Sequence, residues 1–397
     1  MRRYFFVQLG TLLALLLASC AMPGASSEPS STDGAAALGA SQAPPLAPVT
    51  AEGLPHPLYV PDGFAVSLFA KLPGRTRFMA FSPQGVLYAA VPEAGVGAIV
   101  ALPDEDRDGR ADLVDIVANE LLRPHDIEFH DGALWVAQQD AVLKLTEPDP
   151  TGYFTRRETV LGDLPYGGNH WTKTIGFGPD GKLYLSIGSS CNVCIESDWR
   201  RAAITRYNVD GSDPELFATG MRNAVDFTWN ERGELVATNN GRDEMGDEIP
   251  PDAIYITTGG EDFGWPRCHA GDIPDPEFGG PDACDGVAQP AFRIPAHSAP
   301  LGLTFYNGDQ FPPDYRGDLL VALHGSFNRA EKTGYKVVRI RMADGRPVSM
   351  EDFITGWLVD NSAWGRPVDV VVGPDGALYV SDDLFDAIYR VTYEGPR

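Results

Sequence analysis

His170 stands in a glycine-rich loop, Gly167-Gly-Asn-His170, just ahead of the segment Ile175-Gly-Phe-Gly-Pro-Asp-Gly-Lys-Leu-Tyr-Leu-Ser-Ile187. An imidazole titrates closer to neutrality than other side chains, which suits it to taking a proton from a substrate. Loop glycines let the backbone approach a ligand closely. Comparable polar groups recur along the chain at His125-Asp126, Asn169-His170, Arg222-Asn223, Asn239-Asn240-Gly241, His297-Ser298, His324-Gly325-Ser326 and Arg366. A solvent-wetted wall would account for any one of them. An inert scaffold has no need of the whole set, which points to a ligand site.

The elements that would bring these residues together are short strands in a repeating pattern. The pattern reads Phe78-Met-Ala-Phe-Ser-Pro-Gln-Gly-Val-Leu-Tyr, then His125-Asp-Ile-Glu-Phe-His-Asp-Gly-Ala-Leu-Trp, then Thr174-Ile-Gly-Phe-Gly-Pro-Asp-Gly-Lys-Leu-Tyr. It returns at Ala224-Val-Asp-Phe-Thr-Trp-Asn-Glu-Arg-Gly-Glu-Leu, loosely over residues 301–323, and at Val368-Asp-Val-Val-Val-Gly-Pro-Asp-Gly-Ala-Leu-Tyr. Each copy alternates apolar residues on both sides of a turn, as a β-hairpin does. The turn glycines Gly85, Gly132, Gly181 and Gly233 fall about fifty residues apart, the length of one propeller blade. Six copies predict an all-β, six-bladed β-propeller, with a β-solenoid or sandwich as the alternative. Residues beside the hairpin strands then converge at one mouth of the central channel.

The 397 residues include 43 Gly and 33 Pro, which favours turns over long helices. The formal charge of -24 excludes non-specific nucleic-acid binding and makes any arginine facing a pocket run against the general trend. Residues 1–19 read as a signal peptide, with Arg2 and Arg3 ahead of an apolar run. Leu17-Ala18-Ser19-Cys20 resembles a bacterial lipobox, which implies a lipid on Cys20 as the only membrane attachment and an extracytoplasmic location in the cell envelope. An ordinary secretory signal is the alternative. Residues 20–52 are rich in Ala, Ser and Pro and read as a flexible tether, leaving 53–397 for the propeller. Of the remaining cysteines, Cys191 and Cys194 form a C-x-x-C, and Cys268 and Cys284 are the other natural pair. Redox catalysis and a four-cysteine zinc site are conceivable, but two structural disulfides suit an oxidising compartment better.

Over residues 58–391 the chain resembles the soluble sugar dehydrogenases that use pyrroloquinoline quinone, especially the aldose-sugar and sorbosone dehydrogenase branch. The resemblance is carried by Asn169-His170 with Gly178-Pro179-Asp180-Gly181 eight residues on, and by Gly220-Met-Arg222-Asn223 with Asn240-Gly241 and Asp247-Glu248-Ile249. Gly260-Glu-Asp-Phe-Gly264-Trp265-Pro266 and Arg366 ahead of the last hairpin complete it. It implies His170 as general base for sugar oxidation and Arg222 as the cation at the quinone carbonyl. It also implies Asn223 as a hydrogen-bond donor to the quinone and Arg366 as partner of a cofactor carboxylate. A calcium ion would bridge cofactor and protein through the main-chain carbonyls of Gly241 and Arg242, and Glu248 matches a structural calcium ligand. The implied reaction takes an aldose C1 hydroxyl to a lactone, or an aldehyde to an acid, with an external electron acceptor.

The sequence departs from the glucose-oxidising members at three points. Ser189 stands where they place a carboxylate, Val368 where they place a second arginine, and His324-Gly-Ser-Phe-Asn-Arg329 offers no clear match for their lysine. Separately, the segment from Asp104 to Asp115 sets Asp104, Asp106, Asp108, Asp112 and Asp115 at positions 1, 3, 5, 9 and 12, with Gly109 at position 6. That is the spacing of a calcium loop, and a solvated acidic turn is the other reading. Two further classes stay open: a calcium-dependent lactonase of the gluconolactonase type, and a non-catalytic binding propeller at the cell surface.

Overall fold

The computed structural model describes residues 43–93 and 97–396, so Cys20, the segment read as a signal peptide and most of the segment read as a tether lie outside the described residues. Six four-stranded antiparallel sheets make up the body. Blade 1 comprises Met79–Phe81, Leu87–Val91, Gly97–Leu102 and Asp115–Leu121; blade 2 comprises Asp126–His130, Ala133–Ala137, Val142–Pro148 and Phe154–Leu161. Blade 3 comprises Lys173–Phe177, Leu183–Ile187, Ala203–Tyr207 and Glu215–Thr219; blade 4 comprises Phe227–Trp229, Leu235–Asn239, Asp252–Thr257 and Phe292–Ile294. Blade 5 comprises Pro300–Phe305, Leu319–Leu323, Lys336–Ala343 and Arg346–Ile354. In blade 6, Pro367–Val372, Leu378–Asp382 and Ala387–Tyr393 are joined by the early strand Phe64–Lys71. This is the six-bladed β-propeller that the repeats predict.

The repeated hairpins supply the two inner strands of each blade. In the second copy the turn is two residues long, Asp131 and Gly132, both with positive φ (46° and 74°), as a hairpin matching strand twist requires. The loose fifth copy has lost this turn. A longer loop carrying the 3-10 turn Pro313–Tyr315 joins its strands, which is why the pattern fades there. The Cys268–Cys284 disulfide closes an insertion between the last two strands of blade 4.

The tether ends earlier than composition alone suggests. Leu46–Val49 pairs with Leu58–Pro61, and a bridge from Tyr59 to Thr355 ties that ribbon to blade 5. Val49 and Leu54 pack against a core cluster that includes Leu58, Val60 and Trp357. Pro48 is tolerated because an edge strand can spare one N–H.

Three carboxylates lock the ring around its channel. Asp126 of blade 2 accepts the N–H of Ile175 in blade 3; Asp226, just before blade 4, accepts that of Leu303 in blade 5; Asp369 of blade 6 accepts that of Met79 in blade 1, each at 2.8 Å. Each also accepts the N–H of its own following residue. Burial pushes all three well above the usual carboxylate range, Asp369 to about 7. Directly before Asp226 and Asp369, Val225 and Val368 join Phe78 and Leu301 in a small apolar cluster. Val368, where the resemblance would place a second arginine, is thus part of an apolar cluster.

Candidate active site

Most of the positions singled out from the sequence converge, while His125 and Asp126 lie outside the cavity they form, His125 accepting from Arg77 Nε and Asp126 from the Ile175 N–H. A cavity of about 460 Å3 is lined by Asn169, His170, Arg222, Asn223, Gly241 and Arg366, with His297 and His324 also on its wall. Loops at the ends of the inner strands of blades 3 to 6 carry them. Gly188, ending a strand of blade 3, makes the closest approach possible: a Cβ there would lie 2.3 Å from Asn223 Oδ1 and 2.7 Å from His170 Cβ.

His170 is oriented without a carboxylate. Its Nδ1 lies 2.9 Å from the Ser189 carbonyl oxygen and 3.0 Å from Ser189 Oγ, while that hydroxyl donates to the Cys191 carbonyl. A carbonyl can only accept, so Nδ1 carries the proton and Nε2 keeps its lone pair. Ser189, the departure noted in the sequence, is thus still the partner of His170, through neutral atoms. Burial, reinforced by the Arg222 charge, lowers the imidazole pKa to about 3, so His170 is neutral at physiological pH.

Arg222 is held on every side. Nε donates to the Asn192 carbonyl (2.9 Å), Nη1 to the Gly241 carbonyl (2.6 Å), and Nη2 to Asn192 Oδ1 and Asp243 Oδ2 (2.9 Å each). Asn192 lies between Cys191 and Cys194, which are joined as a disulfide, so the C-x-x-C is structural and fixes the clamp on Arg222. Asp243 also accepts from Asn328 Nδ2 (2.7 Å) and faces His297, whose pKa it raises. Asp252 accepts the main-chain N–H groups of Gly241 and Ala299, and burial raises it to about 6.

Arg366 gives Nε to Asp383 Oδ1 at 2.8 Å. Asp383 is a hub that also binds His324 and Arg77, and these partners together with Arg366 hold its carboxyl below the usual range. Burial lowers His324 to about 4, so it is neutral.

Other residues read from the sequence fall elsewhere. The Arg242 side chain turns away from the cavity onto Asp275 and Glu277 in the Cys268–Cys284 insertion. Glu248 is exposed and pairs with Arg329 at 2.6 Å. Asp104, Asp106 and Asp108 do cluster, each offering an oxygen within 4.8 Å of the others. Asp115 lies outside that cluster at the start of a blade 1 strand, and Asp112 instead closes the loop by accepting the Glu105 N–H at 2.7 Å.

The residues present fit a cofactor and a hard cation. The side-chain oxygens of Asn223, Asn240 and Asn328 line the cavity, are buried and have no hydrogen-bond partner. Unpaired buried oxygens are costly, and oxygen donors are what calcium takes. Among the described residues no group of three or more His, Cys, Asp or Glu able to hold a metal lies in this cavity.

The family model described as Glucose / Sorbosone dehydrogenase matches residues 132–390. An uncharacterized protein of Borreliella burgdorferi is 30% identical over 365 residues, covering 87% of this chain and 93% of that protein. A pyrroloquinoline quinone-dependent pyranose dehydrogenase of Coprinopsis cinerea is 26% identical over 426 residues, covering 86% of this chain and 56% of that enzyme. Among solved structures, the holo quinone domain of that pyranose dehydrogenase superposes with TM-score 0.72 at 21% identity, covering 86% of this chain and 98% of the domain. The quinone-bound aldose sugar dehydrogenase of Streptomyces coelicolor gives 0.61 at 18% identity, with 84% and 99% covered. At these identities the structural likeness speaks to the propeller alone.

Proposed function

The chain belongs to the glucose/sorbosone dehydrogenase family, and on that premise we propose that it oxidises an aldose-type sugar with pyrroloquinoline quinone and calcium. The observation that carries this reading is His170, neutral, with Nδ1 on Ser189 and Nε2 unpartnered at the cavity. His170 Nε2 takes the proton of the sugar hydroxyl. The quinone, when bound, supplies the acceptor for the hydride from the same carbon. Arg222, fixed by Asn192 and Asp243, provides positive charge that needs no rearrangement as negative charge develops beside it. Arg366 is available to a cofactor carboxylate through its Nη groups, since only Nε is on Asp383. Asn223, Asn240 and Asn328 would supply oxygens to calcium beside the Gly241 carbonyl. A second calcium belongs on Asp104, Asp106 and Asp108, where it would staple the blade 1 loop.

Reconstitution tests this directly: the full chain with quinone and calcium should reduce a dye in the presence of aldoses, and no quinone binding would sink the proposal. The Asp104 loop is tested separately by melting with and without chelator. An ion at about a hundred times its dissociation constant adds about 2.7 kcal/mol, and identical melts would remove the structural ion. The lipid on Cys20 completes the reading by holding the enzyme in the cell envelope, where an external acceptor collects the electrons. Cys20→Ala should then release the protein from the membrane fraction.

A further inference from the structure

A second pocket of about 220 Å3 opens beside the main cavity and shares His170, Asn169 and Arg366 with it. Its wall carries four guanidinium groups, those of Arg75, Arg77, Arg123 and Arg366, against the single carboxylate of Asp383. Asp383 is already committed to Arg77, Arg366 and His324. Arg75 and Arg123 are left with no ion-pair partner among the described residues. Glu93 approaches Arg75, but it accepts the main-chain N–H at 2.9 Å, not the guanidinium.

Arg75 is exposed and Arg123 half-buried; what stands out in a chain of formal charge -24 is that both face one pocket without a carboxylate of their own. Several buried arginines elsewhere sit on carboxylates, Arg222 on Asp243, Arg242 on Asp275 and Arg339 on Asp318, and buried Arg201 is satisfied by the Gly167 and Gly188 carbonyls. Arg123 is also held in place. Its guanidinium lies over the Trp171 ring, 4.2 Å from the centroid, and its backbone occupies the left-handed region at φ 49°. Such backbone is uncommon outside glycine and gathers at ligand-binding sites. Arg75 is near enough for its charge, added to burial, to lower the Arg123 pKa. An anion between the two would relieve that repulsion, and guanidinium forks match carboxylate and phosphate oxygens.

We infer that this pocket is a subsite for an anionic substituent on the sugar, so that the substrate is an acidic aldose, such as a uronic acid or a sugar phosphate, whose anionic end is held by Arg75 and Arg123. The shared wall at His170 then places the reacting hydroxyl at the base while the anionic end occupies the smaller pocket. This rests on the dehydrogenase reading for the reaction, but not for the binding.

The test separates the two. Binding of glucuronate, glucose 6-phosphate and glucose to the full chain without quinone is measured by calorimetry, for wild type, Arg123→Gln and Arg75→Gln/Arg123→Gln. Quinone affinity is measured alongside by fluorescence titration. A charge-assisted hydrogen bond of about 1.5–3 kcal/mol corresponds to about 10- to 150-fold in affinity, so at least one acidic sugar should bind that much more tightly than glucose. The single variant should lose most of that preference and the double variant all of it. Which of the two acids is preferred distinguishes a carboxylate from a phosphate source. Equal binding of acidic and neutral sugars overturns the inference. So does a loss of quinone affinity in Arg123→Gln with sugar preference unchanged, which would give the pocket to the cofactor. Arginine-dependent binding of an acidic sugar in a protein that binds no quinone would uphold the subsite and overturn the dehydrogenase reading instead.

Discussion

Arg222 lines one of the two hollows that meet at His170, and Arg123 lines the other. Arg222 is clamped by Asn192, Asp243 and the Gly241 carbonyl, so every donor nitrogen is used inside the protein. Arg123 rests on Trp171 and donates to no side chain. A satisfied cation sets a fixed field and resists change, whereas an unsatisfied one is waiting for a ligand. On the proposed reading the two hollows do different work: chemistry on a rigid wall, and recognition on an incomplete one.

The strongest way to break the contrast is to remove the base. His170→Ala should lower turnover by about 10^2- to 10^4-fold with quinone affinity little changed; dye reduction at saturating quinone reads it, and unaltered turnover would return His170 to a positioning role. Next is Asp243→Asn, which strips Arg222 of its carboxylate. Leaving a largely buried charge unpaired costs up to about 3–5 kcal/mol, less here because Asp243 retains some solvent. Arg123→Gln should shift stability by no more than about 1 kcal/mol, as for a residue whose charge meets an aromatic ring but no carboxylate. Urea unfolding of both variants compares the walls, and equal losses would erase the distinction. Opening the disulfide with Cys191→Ser/Cys194→Ser should cost about 2 kcal/mol by loop-closure entropy and lower turnover through Asn192, in the same urea and dye assays.

The remaining tests are in pH. The His170 pKa is lowered in the folded state, so its neutral form is favoured by folding; that contribution is full above about 6.5 and is lost as pH falls toward 3. Turnover should therefore show no loss near pH 6.5 attributable to this imidazole, and a fall with that apparent pKa would mean His170 is solvated. Asp369 runs the other way. Its pKa is raised to about 7, so its contribution is full below about 3.8 and is lost as pH rises through 7. Asp369→Asn should flatten that part of the stability profile, as measured by melting across pH 4 to 8.

The repeats made the propeller legible, because alternation and turn chemistry are local signals that survive in each blade. His170, Arg222, Asn223 and Arg366 were legible because each sits at a fixed place relative to a hairpin. Asp383 occupies the same kind of position, directly after a strand of blade 6, and register alone could have found it. Asn192 could not be found that way, since it lies in a loop between strands where no repeat sets the numbering. Arg75 and Arg123 precede the inner strands of blades 1 and 2, and nothing in the sequence says that their carboxylate partners are missing. Pairing is a property of space, and it was invisible until the blades were set side by side.

The strand Phe64–Lys71 completes blade 6 by pairing with Ala387–Tyr393, so Ser67 meets Arg390 across 323 positions of sequence. The first piece of the ring to leave the ribosome is therefore the last to be used. Until the C-terminal strands arrive, both ends of the nascent arc present unpaired backbone, and closure is the most non-local step in folding. The active-site cavity, whose wall includes Arg366 of the final blade, comes into existence only when that clasp shuts. A chain cut short by a dozen residues would lose its pocket together with its ring.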